Sequence, residues 1–270
     1  MSTKNTGKPK VLLFDIETMA NLSWVWGRYE QNVVAVERDW HIITFAWKWL
    51  GEKKTHVLSL PDFEGYAPGT DNDNLLVARL WDLFDQADVI IAHNGNDFDI
   101  KKVNARFAKW GFQPPSPYKT VDTKLVAKRY FKFDSNRLND LGTYFGLGEK
   151  LDTGGFDLWL GCHRGEQEAW HKMCKYNKQD VVLLEKVYLR MLPYMTNHPN
   201  MNLLLETTHS CPNCGGSTFR SAVYSTREPR LVKDTSALTA ARGLAVIRLR
   251  GEKNSSGNYM EDDLVFQKKG

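Results

Sequence analysis

The sequence has few cysteines, no long apolar segment and little net charge. Its 270 residues include four cysteines, and 36 Lys and Arg stand against 32 Asp and Glu, which gives a formal net charge of +4. Four cysteines are too few for a disulfide-stapled secreted scaffold. No apolar run approaches the roughly 20 residues of a membrane-spanning helix, and the polar segment 1–10 does not resemble a signal peptide. We therefore expect a soluble protein of a reducing, cytoplasmic compartment with no membrane partner.

The composition that remains is that of an ordinary folded protein. Hydrophobic residues make up 42% of the chain and charged residues 25%, which argues against disorder. The length suits one large domain with a small appendage. From about residue 200 the sequence becomes rich in Gly, Ser and Thr and loses its hydrophobic periodicity. We therefore predict a principal domain over residues 1–200 and a C-terminal tail over residues 201–270.

Hydrophobic patterns in the principal domain predict an α/β fold. Continuous apolar or β-branched runs predict strands at about residues 11–16, 42–50, 55–60, 89–92 and 118–121. Apolar positions at helical spacing predict helices at about residues 74–86, 98–110, 122–130, 136–145 and 166–192. The first three strands follow one another closely, so we expect them to pair antiparallel. The alternation of helix and strand after them predicts a mixed five-stranded sheet flanked by helices.

Two carboxylates, Asp15 and Glu17, end the first predicted strand. Residues two apart on a strand point to the same face, and two carboxylates there repel each other unless a cation lies between them. Hard oxygen ligands of this kind suit Mg²⁺ or Mn²⁺. Taken alone, however, the pair is more typical of a strand end that turns polar at the surface.

A polar segment, His93–Asp99, joins the fourth strand to a helix. Open α/β sheets place their sites at such strand-to-helix junctions. The structural alternative is helix capping, in which Asn96 or Asp97 accepts hydrogen bonds from the first free backbone N–H groups. We expect both functions, with Asn96 or Asp97 as the cap and Asp99 at a metal.

The last predicted helix carries Tyr176 and Asp180, which lie one turn apart on the same face. Asp180 is close to the apolar stripe of this helix, where an unpaired charge is costly. Either a structural ion pair or a metal would resolve that cost.

A basic and aromatic stretch runs from Lys101 to Arg137. It holds ten Lys or Arg residues against Asp122 and Asp134, with seven aromatic residues interleaved. Basic groups neutralise phosphates and aromatic rings stack on unpaired bases, which is typical of nucleic-acid binding. The alternative is a solvated helix face above core aromatics.

Taken together, the three motifs resemble those of the DEDD 3′–5′ exonucleases, tyrosine subclass, and especially the proofreading domains of B-family DNA polymerases. They are Asp15-Ile-Glu17, Asn94-x-x-x-Phe98-Asp99 and Tyr176-x-x-x-Asp180. The resemblance spans about residues 10–195. Members of the histidine subclass would have a histidine where this chain has Lys175. The resemblance implies a ribonuclease H-like fold.

The resemblance also implies two divalent metal ions, Mg²⁺ or Mn²⁺, which would lie about 3.5–4 Å from each other and be held by four carboxylates. It assigns one ion to Asp15, Glu17 and Asp180, and a second, shared through Asp15, to Asp99. Tyrosine is a poor base at neutral pH because its ordinary pKa is about 10. Tyr176 is therefore expected to orient the attacking water, and the products would be 5′-nucleoside monophosphates.

Substrate contacts follow from the same resemblance. It places the terminal nucleotide at the backbone after Glu17, where Thr18 and Met19 would pack on it. Further contacts are expected at Asn94, at Phe98 and in the stretch Ser135-Asn136-Arg137, above all at Asn136.

Three aromatic residues in the unpatterned segment 19–38, namely Trp24, Trp26 and Tyr29, are candidates to stack on bases. The alternative, a loop folded over the core, is the one that we favour. His93 is interpreted as structural, because a hard-metal carboxylate site does not need an imidazole.

The tail contains one Cys-x-x-Cys pair, Cys211 and Cys214, which resembles half of a zinc ribbon. A structural zinc needs four ligands, and no Cys or His follows Cys214. Further ligands would have to come from elsewhere in the chain, at His209, Cys162, His163, His171 or Cys174. A degenerate ribbon or a plain turn is favoured over a zinc site, and Cys162 and Cys174 are most simply core residues.

The expected function is a metal-dependent 3′–5′ exonuclease that acts on single-stranded or frayed DNA 3′ ends. One alternative is an exoribonuclease of the same fold, since only contacts to the 2′-OH separate the two substrates. The other is a nucleic-acid-binding accessory protein of a replication or repair complex. The intact set of carboxylates argues against that second alternative, although replication or recombination proteins remain expected partners.

Overall fold

The structure is a computed structural model that describes residues 9–29, 32–149 and 153–201, together with four short strands further along the chain. The strands of the first part are β1 (Val11–Met19), β2 (Leu22–Trp24), β3 (Ala35–Arg38), β4 (His41–Trp49), β5 (His56–Ser59), β6 (Val89–Ala92) and β7 (Lys119–Asp122). Its helices are α1 (Asn74–Gln86), α2 (Asp99–Lys109), α3 (Thr123–Tyr130), α4 (Leu138–Tyr144), α5 (Asp157–Arg164) and α6 (Gln167–Met191). Short 3₁₀ helices lie at Leu60–Asp62 and Leu192–Tyr194.

Five of these strands form one mixed sheet in the order β5–β4–β1–β6–β7. β5, β4 and β1 pair antiparallel, whereas β1, β6 and β7 pair parallel. The predicted five-stranded mixed sheet is therefore confirmed. β1 lies at its centre, and Val11–Phe14 are buried because neighbouring strands and packed helices cover them.

The core on one side of the sheet is built around Phe84 of α1. Its ring meets three other aromatic rings edge to face, with centroid distances of 5.0 Å to Phe14, 5.7 Å to Phe107 and 5.6 Å to Tyr118. These contacts join β1, α1 and α2 into one packed layer. α6 packs against β1, β4 and β5, so it lies across the antiparallel half of the sheet.

A buried ion pair holds α2 to the start of α1. Arg106 and Asp73 are 2% and 0% exposed, and the guanidinium Nε donates to Asp73 Oδ2 at 2.7 Å. The same carboxylate accepts from Trp110 Nε1 at 2.7 Å and from the backbone N–H of Ile42 at 2.8 Å. The arginine is therefore a structural member of the basic stretch rather than a surface cation.

Among the strands and α-helices before Leu192, three were missing from the prediction: β2, β3 and α5. β2 and β3 form a separate antiparallel hairpin between β1 and β4. Most of its side chains are exposed, so it lacks the burial pattern from which strands are recognised. The start of α5 follows Gly154 and Gly155, both with positive φ, and this break hides a helix of only eight residues.

The chain divides into two units between Met191 and Leu192. In the second unit, β8 (Val223–Tyr224) pairs antiparallel with β9 (Pro229–Arg230), and β10 (Ala245–Ile247) pairs antiparallel with β11 (Val265–Gln267). Cys211 and Cys214 lie outside the described residues, so the zinc interpretation stays a prediction. The division into domains at residue 200 also stays a prediction. No helix in the described part of the chain has both the length and the apolar character needed to cross a membrane.

Candidate metal and nucleic-acid site

Three of the predicted carboxylates converge at the centre of the sheet. Asp15 and Glu17 lie on β1, Asp180 lies on α6, and one ligand oxygen from each is within 4.8 Å of the other two. The strand places the first two on one face, and the packing of α6 on β1 adds the third. The pairing of β1 with β4 shifts register between Glu17 and Thr18, and such bulges re-aim side chains beside functional sites.

The chemistry of this cluster fits a hard divalent cation. Asp180 is 1% exposed, while Asp15 and Glu17 are partly buried. Three carboxylates this close repel one another in a poorly hydrated place, and a cation between them removes that repulsion. Within the described ranges, no histidine or cysteine joins the cluster, and an all-oxygen donor set suits Mg²⁺ or Mn²⁺ rather than zinc.

The fourth predicted carboxylate, Asp99, lies beside the cluster rather than in it. It is the first residue of α2 and is 3% exposed, and its Oδ1 accepts a hydrogen bond from the backbone N–H of Ile16 at 3.3 Å. Asp99 is thereby held against β1 between the two carboxylate positions of that strand. Its role as a ligand of a second ion stays a prediction.

A buried amide, Asn177, fixes the orientation of Asp15, and the sequence analysis did not identify it. Its Nδ2 donates to Asp15 Oδ2 at 2.7 Å and to the backbone carbonyl of Asp15 at 3.3 Å. Its Oδ1 faces the hydroxyl of Thr44 at 3.4 Å, which also donates to the carbonyl of Leu58 at 2.8 Å. Asn177 and Thr44 are both 0% exposed. The one sequence signal was the position of Asn177, three residues before Asp180 and on the same helix face.

Tyr176 lies one turn before Asp180 on α6, as the spacing predicts. Its side chain is half-buried and packs against the hydrophobic core. The structure thus brings the tyrosine to the helix face that carries Asp180, and its water-orienting role stays a prediction.

The segment that leads into α2 is organised by Asp122 at the end of β7. The Asp122 carboxylate accepts hydrogen bonds from the backbone N–H groups of Asn94, Asn96, Lys124 and Leu125 at 3.0, 3.1, 2.9 and 3.2 Å. It therefore caps α3 and shapes the 93–97 loop at the same time. Asn94 has a φ of +65°, a conformation that asparagine tolerates better than most residues.

The predicted cap of α2 by Asn96 or Asp97 was wrong. α2 begins after Phe98 without a side-chain cap among the described residues. Asp97 instead pairs with Lys101 at 3.1 Å on the exposed surface. Backbone carbonyls of the loop accept hydrogen bonds at this junction: Phe98 N, just before the helix, donates to Asn94 O at 3.0 Å, and Ile100 N, in its first turn, donates to Gly95 O at 2.9 Å. A loop carbonyl therefore accepts the hydrogen bond of Ile100 N that a capping side chain would otherwise accept.

His93 has the structural role that the sequence indicated. Its Nδ1 lies 2.9 Å from the Thr123 hydroxyl, and its Nε2 lies 3.0 Å from the backbone carbonyl of Asn136. The imidazole thus ties the end of β6 to α3 and to the segment before α4. The Asn94 side chain accepts a hydrogen bond from Lys124 Nζ at 3.1 Å, so two of the predicted substrate contacts lie in one connected network.

An open pocket lies at the end of β1, beside the residues that follow Glu17. It has a volume of about 330 Å³ and is lined by Thr18, Met19, Ala20, Asn21, Trp40, Lys102, Phe156 and Trp159. The Lys102 ammonium lies 3.7 Å from the centre of the Trp40 ring and 5.4 Å from that of Phe98. Burial lowers the pKa of Lys102, against the opposing charge of Asp39.

The pocket contains the predicted contacts Thr18 and Met19 and adds aromatic residues that sequence reasoning missed. Trp40, Phe156 and Trp159 come from separate parts of the chain, so no local pattern could have grouped them. Lys102 was visible only as one member of the basic stretch, three residues after Asp99 on the same face of α2.

The favoured alternative for Trp24, Trp26 and Tyr29, a loop folded over the core, was wrong. Their side chains are 64%, 84% and 90% exposed on and beside the β2–β3 hairpin. Base stacking by these residues stays a prediction. The core interpretation of Cys162 is confirmed, since it is fully buried in the main hydrophobic cluster and burial raises its pKa to about 12.

Comparison with known proteins shows which family the chain belongs to. A model of the RNase_H superfamily matches residues 12–192. The chain is 26% identical over 140 residues to a DNA polymerase III PolC-type of Ureaplasma parvum serovar 3, a match that covers 50% of this chain and 10% of that protein. It is also similar to the structure of the family B DNA polymerase of the hyperthermophilic archaeon Pyrobaculum calidifontis.

The similarity to the archaeal polymerase is one of fold. Its TM-score is 0.52 at 17% identity, over 69% of this chain and 25% of the polymerase. This chain thus spans a small part of each polymerase that it resembles. The superfamily match extends over the central sheet, the three clustered carboxylates and the whole of α6. The chain belongs to the RNase H superfamily.

Proposed function

We propose that the protein is a metal-dependent 3′–5′ exonuclease of the tyrosine subclass that hydrolyses phosphodiester bonds at single-stranded or frayed DNA 3′ ends. The observation that carries this proposal is the convergence of Asp15, Glu17 and Asp180 on the central strand of an RNase H-like sheet. Paired metal ions between carboxylates are a common solution for phosphodiester hydrolysis. The polymerase relatives favour DNA as the substrate and replication proteins as partners.

The residues present fit two divalent ions. Asp15, Glu17 and Asp180 would hold one ion, and Asp15 with Asp99 would reach the other. Bound Mg²⁺ or Mn²⁺ would supply an acidified water and stabilise the charge on the leaving 3′ oxygen. The protein itself fixes the ligands: Asn177 holds Asp15, and Ile16 N holds Asp99.

Tyr176 would orient the attacking water. It lies one turn from Asp180 on a long helix that is packed against three strands, and its side chain packs against the hydrophobic core. A hydrogen bond from the Tyr176 hydroxyl would align the water with the phosphorus without removing its proton.

The pocket beside β1 suits an unpaired terminal nucleoside. Thr18 and Met19 follow the carboxylates directly, and Phe156, Trp159 and Trp40 line the same pocket, where a base would stack against them. Aromatic stacking of this kind is tolerant of base identity. Lys102 adds a cation within reach of a phosphate or a base edge. A base that is still paired in a duplex could not enter such a pocket, which is why we assign frayed or single-stranded ends.

The test uses single-stranded DNA and RNA oligonucleotides labelled at the 5′ end, with Mg²⁺, Mn²⁺ or EDTA. We expect stepwise shortening of DNA from the 3′ end that EDTA abolishes, and no shortening by a folded Asp15→Ala variant. Asp82→Asn is the matched control, because that exposed carboxylate of α1 pairs with Arg79 and is not a member of the cluster. Faster degradation of RNA would assign an exoribonuclease. Activity in a folded Asp15→Ala protein would refute the site.

A further inference from the structure

A second surface of the molecule combines aromatic rings with a concentration of cations. The rings of Phe131, Phe133, Tyr144 and Phe145 form one cluster after α3 and at the end of α4. Phe131 stacks on Phe133 at a centroid distance of 5.0 Å, and Phe133 meets Tyr144 at 5.0 Å and Phe145 at 5.5 Å. Tyr144 is 72% exposed, so the cluster presents a ring to solvent. We call this region the Tyr144 surface.

The cations of this region face solvent. Lys128, Arg129, Lys132, Arg137 and Arg190 are all exposed. The Arg190 guanidinium lies 5.7 Å from the centre of the Phe145 ring, and that of Arg129 lies 5.6 Å from the Tyr130 ring. Two acids lie among the same residues and oppose these five cations: the exposed Asp134, and Asp140, which accepts a hydrogen bond from the Ser135 hydroxyl. The balance of charge on the Tyr144 surface is therefore positive.

The Tyr144 surface is connected to the carboxylate site through His93. This residue follows β6, whose end lies opposite the end of β7 in the parallel sheet. Its imidazole contacts the carbonyl of Asn136, in the segment that links Phe133 to α4. From the same loop, the chain enters α2 at Asp99. The surface thus borders the end of the sheet where the site lies.

The chemistry favours nucleic acid over a protein partner. A protein interface of ordinary composition is depleted in lysine, whereas this surface combines exposed lysine and arginine side chains with an exposed ring. The β2–β3 hairpin offers the contrast, since its exposed side chains are largely valine, leucine and tryptophan. Phosphates match the cations, and an unpaired base matches the face of Tyr144.

We propose that the Tyr144 surface binds the single strand on the 5′ side of the nucleotide that is removed. Arg129 and Lys132 contact its phosphates, and Tyr144 stacks on a base. This inference rests on the proposed function, because it assigns the remainder of the same substrate. It adds a prediction that the carboxylate site alone does not make: affinity depends on strand length.

Binding is measured with the full chain in EDTA, by fluorescence anisotropy of a labelled long oligothymidylate over a range of salt concentrations. We expect Tyr144→Ala to weaken binding roughly five- to 150-fold, as for loss of one stacked base, and Tyr144→Trp to retain it. Arg129→Ala/Lys132→Ala should lower the slope of log affinity against log salt by about 0.7 for each phosphate contact removed. The control is Lys53→Ala/Lys54→Ala, which removes two exposed cations of the turn between β4 and β5.

Hydrolysis separates this inference from the proposed function. With Mg²⁺, the Tyr144→Ala loss should appear in kcat/KM for the long strand and not for thymidine 5′-p-nitrophenyl phosphate, which is too short to reach the surface. The inference is overturned if Tyr144→Ala and Arg129→Ala/Lys132→Ala bind the oligonucleotide like the wild type. It is also overturned if Tyr144→Ala loses kcat/KM equally on both substrates, and in either case the exonuclease proposal stays intact. Length-dependent binding by a protein that shortens no oligonucleotide would support the surface and refute the nuclease.

Discussion

Asn177 provides the sharpest quantitative prediction, because it touches a candidate metal ligand without being one. Its Nδ2 donates to Asp15 Oδ2 at 2.7 Å and so fixes the orientation of the carboxylate that lies beside those of Glu17 and Asp180. In Asn177→Ala the carboxylate loses this donor and gains rotational freedom. The metal must then order Asp15 on binding, so we expect weaker metal affinity in a folded protein.

Two independent estimates give the size of the effect. A hydrogen bond to a charged group contributes about 1.5–3 kcal/mol. Loss of an outer partner of a metal ligand typically costs 10- to 100-fold in metal affinity or activity, which corresponds to about 1.4–2.7 kcal/mol. We therefore expect Asn177→Ala to weaken Mn²⁺ binding by about 10- to 100-fold, measured by isothermal titration calorimetry without nucleic acid.

Two variants separate positioning from structure. Gln179→Ala removes an amide from the same helix outside the cluster and should bind Mn²⁺ like the wild type. Asn177→Asp replaces the donor with another carboxylate beside Asp15 and should lower the Tm in EDTA more than Asn177→Ala does. If folded Asn177→Ala binds Mn²⁺ as tightly as the wild type, the positioning argument is wrong.

Three further predictions concern the same fold. Asp180→Asn should abolish hydrolysis and the Mg²⁺-dependent rise in Tm without lowering the Tm in EDTA, because it removes repulsion among carboxylates within 4.8 Å of one another; a large loss of Tm in EDTA would contradict this. Arg106→Met should lower the free energy of unfolding by about 3–5 kcal/mol, since it leaves the carboxylate of Asp73 buried without its cation, and urea denaturation measures it. Burial lowers the pKa of His41 below its ordinary 6.5, so between the two pKa values the unfolded chain binds a proton that the folded chain does not. The free energy of unfolding therefore has its full value above pH 6.5 and decreases as the pH falls through the folded pKa. His41→Gln should make the free energy of unfolding, measured by urea titration, depend less on pH. An unchanged dependence on pH would refute this prediction.

The elements with strong periodicity were predictable from the sequence. The predicted bounds of α1 and β6 match the structure to the residue, and α2 differs by one residue at each end. α2 was recognisable because Gly111, with a φ of +75°, and the proline-rich turn after it stop the helix. β1 extends to Met19, beyond its predicted end, because the polar residues after Ile16 continue to pair with β4 across the bulge.

The carboxylate cluster was predictable because strand and helix periodicities each fix a face. The period of two placed Asp15 with Glu17, and the resemblance joined them to Asp180, which the structure brings together. Asn177 was missed because a single buried amide has no pattern. The loop before α2 was misjudged because capping by backbone carbonyls leaves no trace in side-chain identity. Trp40 and Trp159 became neighbours only through tertiary packing.

The most direct test of the central claim is the product of hydrolysis by the wild-type chain. Single-stranded DNA is incubated with Mg²⁺, and the released material is resolved by chromatography while the remaining strand is sized. The account predicts nucleoside 5′-monophosphates and a ladder that shortens from the 3′ end, with neither product in EDTA or from folded Asp180→Asn. Internal cleavage, release from the 5′ end, or activity that survives EDTA would contradict the assignment of Asp15, Glu17 and Asp180 as the metal ligands of a 3′–5′ exonuclease.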